Sequence, residues 1–125
     1  MRKIKKVIKK SVEKHKFILM NNIEIDKKIS KLIQTLWNDG IETIQCCQGG
    51  DKVEKETRFT HIENGKIIEN THIIFLKKDL DKIKKFLPIN TDYIVGDKSK
   101  IGQFEEWLGV FDGVWANFML KHNNQ

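Results

Sequence analysis

The sequence predicts an α+β fold built as one domain. Three observations carry this expectation. Short β-favouring runs alternate with amphipathic helical segments, turn signals recur at close intervals, and 125 residues suit one hydrophobic core rather than two. The sheet is expected to be mixed or antiparallel, with helices on one face and a basic helix at the N-terminus. The chain divides into a basic arm over residues 1–16 and a domain over 17–125.

In the arm, Ile4, Val7, Ile8 and Val12 recur at helical spacing between lysines and predict a helix over 2–14. A strand over 16–20 follows, with Asn21-Asn22 as a turn. Asp26 is placed to cap a helix over 26–39, because Ile29, Leu32, Ile33, Leu36 and Trp37 form one apolar stripe. Gly40 ends that helix. Strands are expected over 41–46 and 58–62, with Asn64-Gly65 turning a hairpin back through Lys66 to Glu69. Residues 71–76 form an apolar strand, 79–87 a helix stopped by Pro88, and 93–95 a short strand. For 104–120 a helical stripe (Trp107, Phe111, Val114, Trp115, Phe118) competes with a hairpin about Asp112-Gly113. Gly109 and Gly113 inside the stripe favour two strands, over 104–111 and 114–120.

Charge is unevenly placed. Arg2, Lys3, Lys5, Lys6, Lys9, Lys10, Lys14 and Lys16 face Glu13 alone, so the formal net charge of +6 resides in the arm and the remainder is close to neutral. Such an arm suits contact with nucleic acid through Lys3, Lys5, Lys6, Lys9 and Lys10 by counterion release. Base-specific readout is disfavoured, since only two arginines are present to supply bidentate forks. No apolar run exceeds four residues, so no membrane span or secretory h-region is expected. Two cysteines, adjacent to each other, exclude a disulfide framework and suit a reducing cytoplasmic setting.

One segment combines reactive side chains with a turning backbone: Thr43-Ile44-Gln45-Cys46-Cys47-Gln48-Gly49-Gly50-Asp51 runs from a strand end into a glycine loop. Amides at such loops can point at a ligand. Strand alternation sends Cys46 to the core and Cys47 to the loop mouth. The candidate ligand-binding residues are Thr43, Cys47, Gln48, Gly49, Gly50 and Asp51, with His72 on the following strand. No metal centre is expected, because Cys46, Cys47, His61 and His72 lack the usual C-x₂-C spacing. A cysteine nucleophile would need His72 as its base. Neither a carboxylate pair nor a phosphate-binding Gly-x-x-x-x-Gly-Lys loop is present.

Leu36-Trp37, Gly40-Ile41-Glu42-Thr43 and Cys46-Cys47-Gln48-Gly49 together resemble the shared core of a group of small bacterial and phage proteins, as does Val114-Trp115-Ala116-Asn117-Phe118 their closing strand. More distantly, the Thr-x-x-Cys-Cys-x-Gly core is similar to that of the wybutosine-synthesising tRNA methyltransferases, an α+β fold using S-adenosylmethionine. Gly50-Asp51 stands where that family's pattern has a basic residue after the glycine. The function expected is non-catalytic binding of a small nucleotide-like ligand or nucleic acid at the Cys-Cys-Gln-Gly-Gly loop, in a phage or bacterial protein. The alternatives are a small RNA- or nucleotide-modifying enzyme of the methyltransferase kind and a protein inhibitor of a host factor. No cofactor follows from the residues themselves.

Overall fold

The computed structural model describes residues 15–100 and 102–120. The helix expected over 2–14, with Lys3, Lys5, Lys6, Lys9 and Lys10, lies outside the described residues. The architecture is α+β, and every strand pairing is antiparallel.

The chain opens with a hairpin of β1 (Phe17–Met20) and β2 (Ile23–Asp26), turned by Asn21 and Asn22 at positive φ. β2 was not expected. Asp26 therefore closes a strand, and its side chain makes no helix-capping hydrogen bond. A 3-10 turn at Lys27–Ile29 leads into α1 (Ser30–Asn38). The predicted stripe is the buried one: Ile29, Ile33 and Leu36 have no exposed surface, and Leu32 and Trp37 pack beside them. Gly40, at φ +83°, ends the helix with the Ile41 N–H donating to the Leu36 carbonyl, a left-handed cap.

β3 (Thr43–Cys47) starts the main sheet, and β4 (Thr60–Glu63) with β5 (Lys66–Glu69) makes the hairpin that Asn64-Gly65 predicts. β6 (Thr71–Leu76) is followed by a 3-10 turn at Lys77–Asp79 and a single-turn α2 (Leu80–Ile83), shorter than the helix expected over 79–87. β7 (Asp92–Val95), α3 (Phe104–Val110) and β8 (Gly113–Phe118) complete the described fold. The strand expected over 104–111 is thus a helix. The main sheet runs β3-β6-β8-β7.

Alternation across this sheet separates two apolar layers. Ile73, Phe75, Val114, Ala116 and Phe118 meet Ile25, Ile33, Leu36 and Ile83 on one face. Ile74, Trp115 and Ile94 meet Leu108, Phe104 and Phe59 on the other, so α3 covers this second face and the helices are not confined to one face as expected. Among the described residues no helix is long and apolar enough to cross a membrane.

Candidate ligand-binding site

The loop after β3 is held by backbone and side-chain bonds that leave it little freedom. Gln48 is 8% exposed; its N–H donates to Asp26 Oδ2 (2.9 Å), its Oε1 accepts from the Lys28 N–H (3.1 Å), and its carbonyl accepts from the Thr71 hydroxyl (2.7 Å). Gly49 and Gly50 both take positive φ, at +68° and +93°. That double left-handed turn lets the Gly50 N–H donate to the Glu69 carbonyl (2.9 Å) and the Glu69 N–H donate to the Asp51 carbonyl (2.8 Å). The β4–β5 hairpin is thereby stitched over the loop.

These constraints converge on Cys47. Ligand atoms of His15, Asp26 and Cys47 lie within 4.8 Å of one another, the single such group among the described residues. The His15 side chain is only 7% exposed and sits between two carboxylates: Nδ1 is 3.3 Å from Asp26 Oδ2, and Nε2 is 3.2 Å from Asp51 Oδ2. Neither contact has hydrogen-bond geometry, so both ring nitrogens are buried without a hydrogen-bond partner. Glu69 adds a third carboxylate; burial, then the nearby Asp51 charge, raise its pKa, while His15 opposes the rise. Burial is also the main reason that the Cys47 thiol is pushed up to about 12, with Asp26, Glu69 and Asp51 adding to the rise and a hydrogen bond from the Gly49 N–H (3.5 Å to Sγ) opposing it. A thiol so placed stays protonated at neutral pH and is not a ready thiolate nucleophile.

Of the residues that the sequence singles out, Cys47, Gln48, Gly49, Gly50 and Asp51 come together here. Thr43 does not: it begins β3, about 13 Å from Cys47 at the usual strand rise, where its hydroxyl accepts from Trp37 Nε1 (3.0 Å). It lines a separate cleft of about 320 Å³ with Asn21, Ile23 and Glu42. His72 is the register partner of Cys47, but its ring stacks on Trp115 at 4.0 Å, and burial lowers its pKa to about 4. The imidazole of the site is therefore His15 rather than His72. A second cleft, about 430 Å³, lies between Arg58, His61, Asn70, Asp92 and Asn117, with Arg58 forked onto Asp92 (2.7 and 3.1 Å).

Sequence reasoning missed His15 and Asp26. Both stand far from Cys47 along the chain, His15 two residues before β1 and Asp26 at the end of β2, a strand not expected from the sequence. Comparison with protein families, with characterised proteins and with solved structures finds no match, so the resemblance drawn above rests on its motif alone.

Proposed function

We propose that this chain is a non-catalytic binding protein whose site is the loop Cys47 to Asp51 closed by His15 and Asp26, and that the ligand it takes is a cation. The observation that carries this is the His15 ring, nearly fully buried with both nitrogens lacking a hydrogen-bond partner between Asp26 and Asp51. Buried polar atoms are ordinarily satisfied, and a native exception calls for a missing partner. With Asp26, Asp51 and Glu69 around it, that partner is positively charged; a phosphate or nucleotide would be repelled. The expected nucleotide-like occupant is thus moved away from the loop. Contact with nucleic acid belongs instead to the lysines of residues 2–14.

Native mass spectrometry of the chain purified without chelator provides the test. The expected result is a retained ligand mass that disappears when Asp26→Asn and Asp51→Asn are combined. A chain that carries nothing, and whose melting temperature neither metal nor organic cations shift, would sink the proposal.

A further inference from the structure

We infer that the cation is a zinc-class divalent ion, held by the Cys47 sulfur, His15 Nδ1 and the Asp26 carboxylate. This rests on the cation-binding function proposed above and names its ligand. The donor set makes the choice. Calcium and magnesium take oxygen ligands almost exclusively, whereas sulfur and imidazole together select zinc and its transition-metal neighbours. The three ligand atoms come from three separate pieces of the fold: the residue preceding β1 by two, the end of β2 and the end of β3. They already lie within 4.8 Å of one another, and bonds of about 2.0–2.3 Å to a common ion need only a modest contraction.

The remaining contacts match what a metal-bound histidine requires. With Nδ1 on the metal, Nε2 carries the proton; Asp51 Oδ2, 3.2 Å away but out of hydrogen-bond line, is the acceptor it would reach once the ring turns onto the metal. Metal-ligating imidazoles nearly always donate the other ring N–H to a carboxylate, a backbone carbonyl or a water, which fixes the tautomer and the ring orientation. Asp26 is fixed in its turn by the Gln48 N–H at 2.9 Å. On binding, the Cys47 S–H bond gives way to a sulfur–metal bond and the proton passes to solvent. One thiolate and one carboxylate then balance the 2+ charge. Three protein ligands leave one position of a tetrahedral ion open, with Glu69 a further carboxylate at the same site. Cys46 takes no part, since it packs on the opposite face of β3, against the layer that holds Ile33, Leu36 and Ile83.

The test uses the full chain, reduced and stripped with a chelator, then titrated with Co²⁺ as a spectroscopic probe and with Zn²⁺ as competitor. We expect one equivalent of Co²⁺ to give intense visible bands of tetrahedral cobalt and a sulfur-to-cobalt charge-transfer band, both bleached by one equivalent of Zn²⁺. Cys47→Ser should abolish the charge-transfer band and Cys46→Ser should keep it. Asp26→Asn should weaken binding by more than tenfold, and Asp51→Asn by about tenfold with the band retained. X-ray absorption of the wild-type zinc form should show one sulfur at about 2.3 Å, a readout that does not depend on any variant folding. A charge-transfer band that survives Cys47→Ser, or a wild-type zinc shell without sulfur, overturns the assignment. Failure of both metals to bind, with an organic cation retained in native mass spectrometry, overturns zinc and leaves the cation-binding function standing. Failure of both metals with no retained mass removes the two together.

Discussion

Gly49 and Gly50 share the left-handed region but not their surroundings. A Cβ on Gly49 would lie 2.4 Å from the Asn70 carbonyl oxygen and 2.8 Å from that of Glu69, both backbone atoms that cannot swing away. A Cβ on Gly50 would meet nothing within 4 Å. Gly50→Ala is therefore expected to lose only the conformational term, about 1 kcal/mol, whereas Gly49→Ala must also part the loop from the β4–β5 hairpin and should lose at least about 2 kcal/mol more. Urea denaturation of the two variants checks this; equal losses would mean that the hairpin is not held by the loop. His72 gives a second test at this scale. Its folded pKa of about 4 lies below the ordinary 6.5, so between those values only the unfolded chain takes up the proton. Stability should accordingly fall as pH drops from about 6.5 towards 4, by on the order of 3 kcal/mol in all. The other groups near it, Trp115 in the stack and Cys47 and Asn117 opposite it in the ladder, do not ionise across that window. The measured quantity is the difference in slope between wild type and His72→Phe. Identical pH profiles would show that the ring is not held neutral.

At the scale of elements, most of the fold was legible where one local signal had one meaning. The stripe of α1, the Asn64-Gly65 hairpin and the apolar run of β6 each stand where their residues place them. The segment around α3 failed because its signals carry two meanings. Asp112-Gly113 was read as a hairpin turn, but Asp112, at φ +56°, is the left-handed residue that ends α3 before β8 begins. Gly109 counted against a helix, yet it is where the helix crosses the chain after β7: a Cβ there would lie 2.6 Å from the Lys98 nitrogen, and one on Gly96 would lie 2.4 Å from the Gly109 nitrogen. Helical spacing reports the period, whereas the close approach is a tertiary fact that no window of sequence contains. These facts set a prediction whose sign is informative. In an isolated helix Gly109→Ala would stabilise by about 1 kcal/mol; here it should destabilise by about 2 kcal/mol or more and alter the fluorescence of Trp107 and Trp115. A stabilised variant would show that α3 does not dock through this crossing. Of the proposed site, the loop's own residues stand together in the sequence, but His15 and Asp26 reach them only through the β1–β2 hairpin.

Over the whole molecule, charge is divided into two regions, and the proposed function assigns each its own kind of partner. The described body is near neutral and gathers Asp26, Asp51 and Glu69 about His15, whereas the excess of lysine lies in residues 2–14, directly before His15 in the chain. A polyanion and a metal ion should therefore be separable ligands of one protein. Lysines grip phosphate as point charges and lack the rigid fork of arginine, so affinity for nucleic acid is expected to depend little on sequence and to fall steeply with salt, with a logarithmic slope of about −0.9 for each phosphate neutralised on duplex DNA. Deleting residues 2–14 while keeping His15 should abolish retention on both RNA and DNA and flatten the salt dependence, yet leave the Co²⁺ titration unchanged. Salt-dependent binding that persists after the deletion would place the contact on the folded body, where Asp51 and Glu69 make it electrostatically unfavourable, and would reduce the arm to a solubilising segment. Loss of Co²⁺ binding with the arm would instead show that residues 2–14 are needed to seat His15, joining into one unit the two regions that the distribution of charge divides.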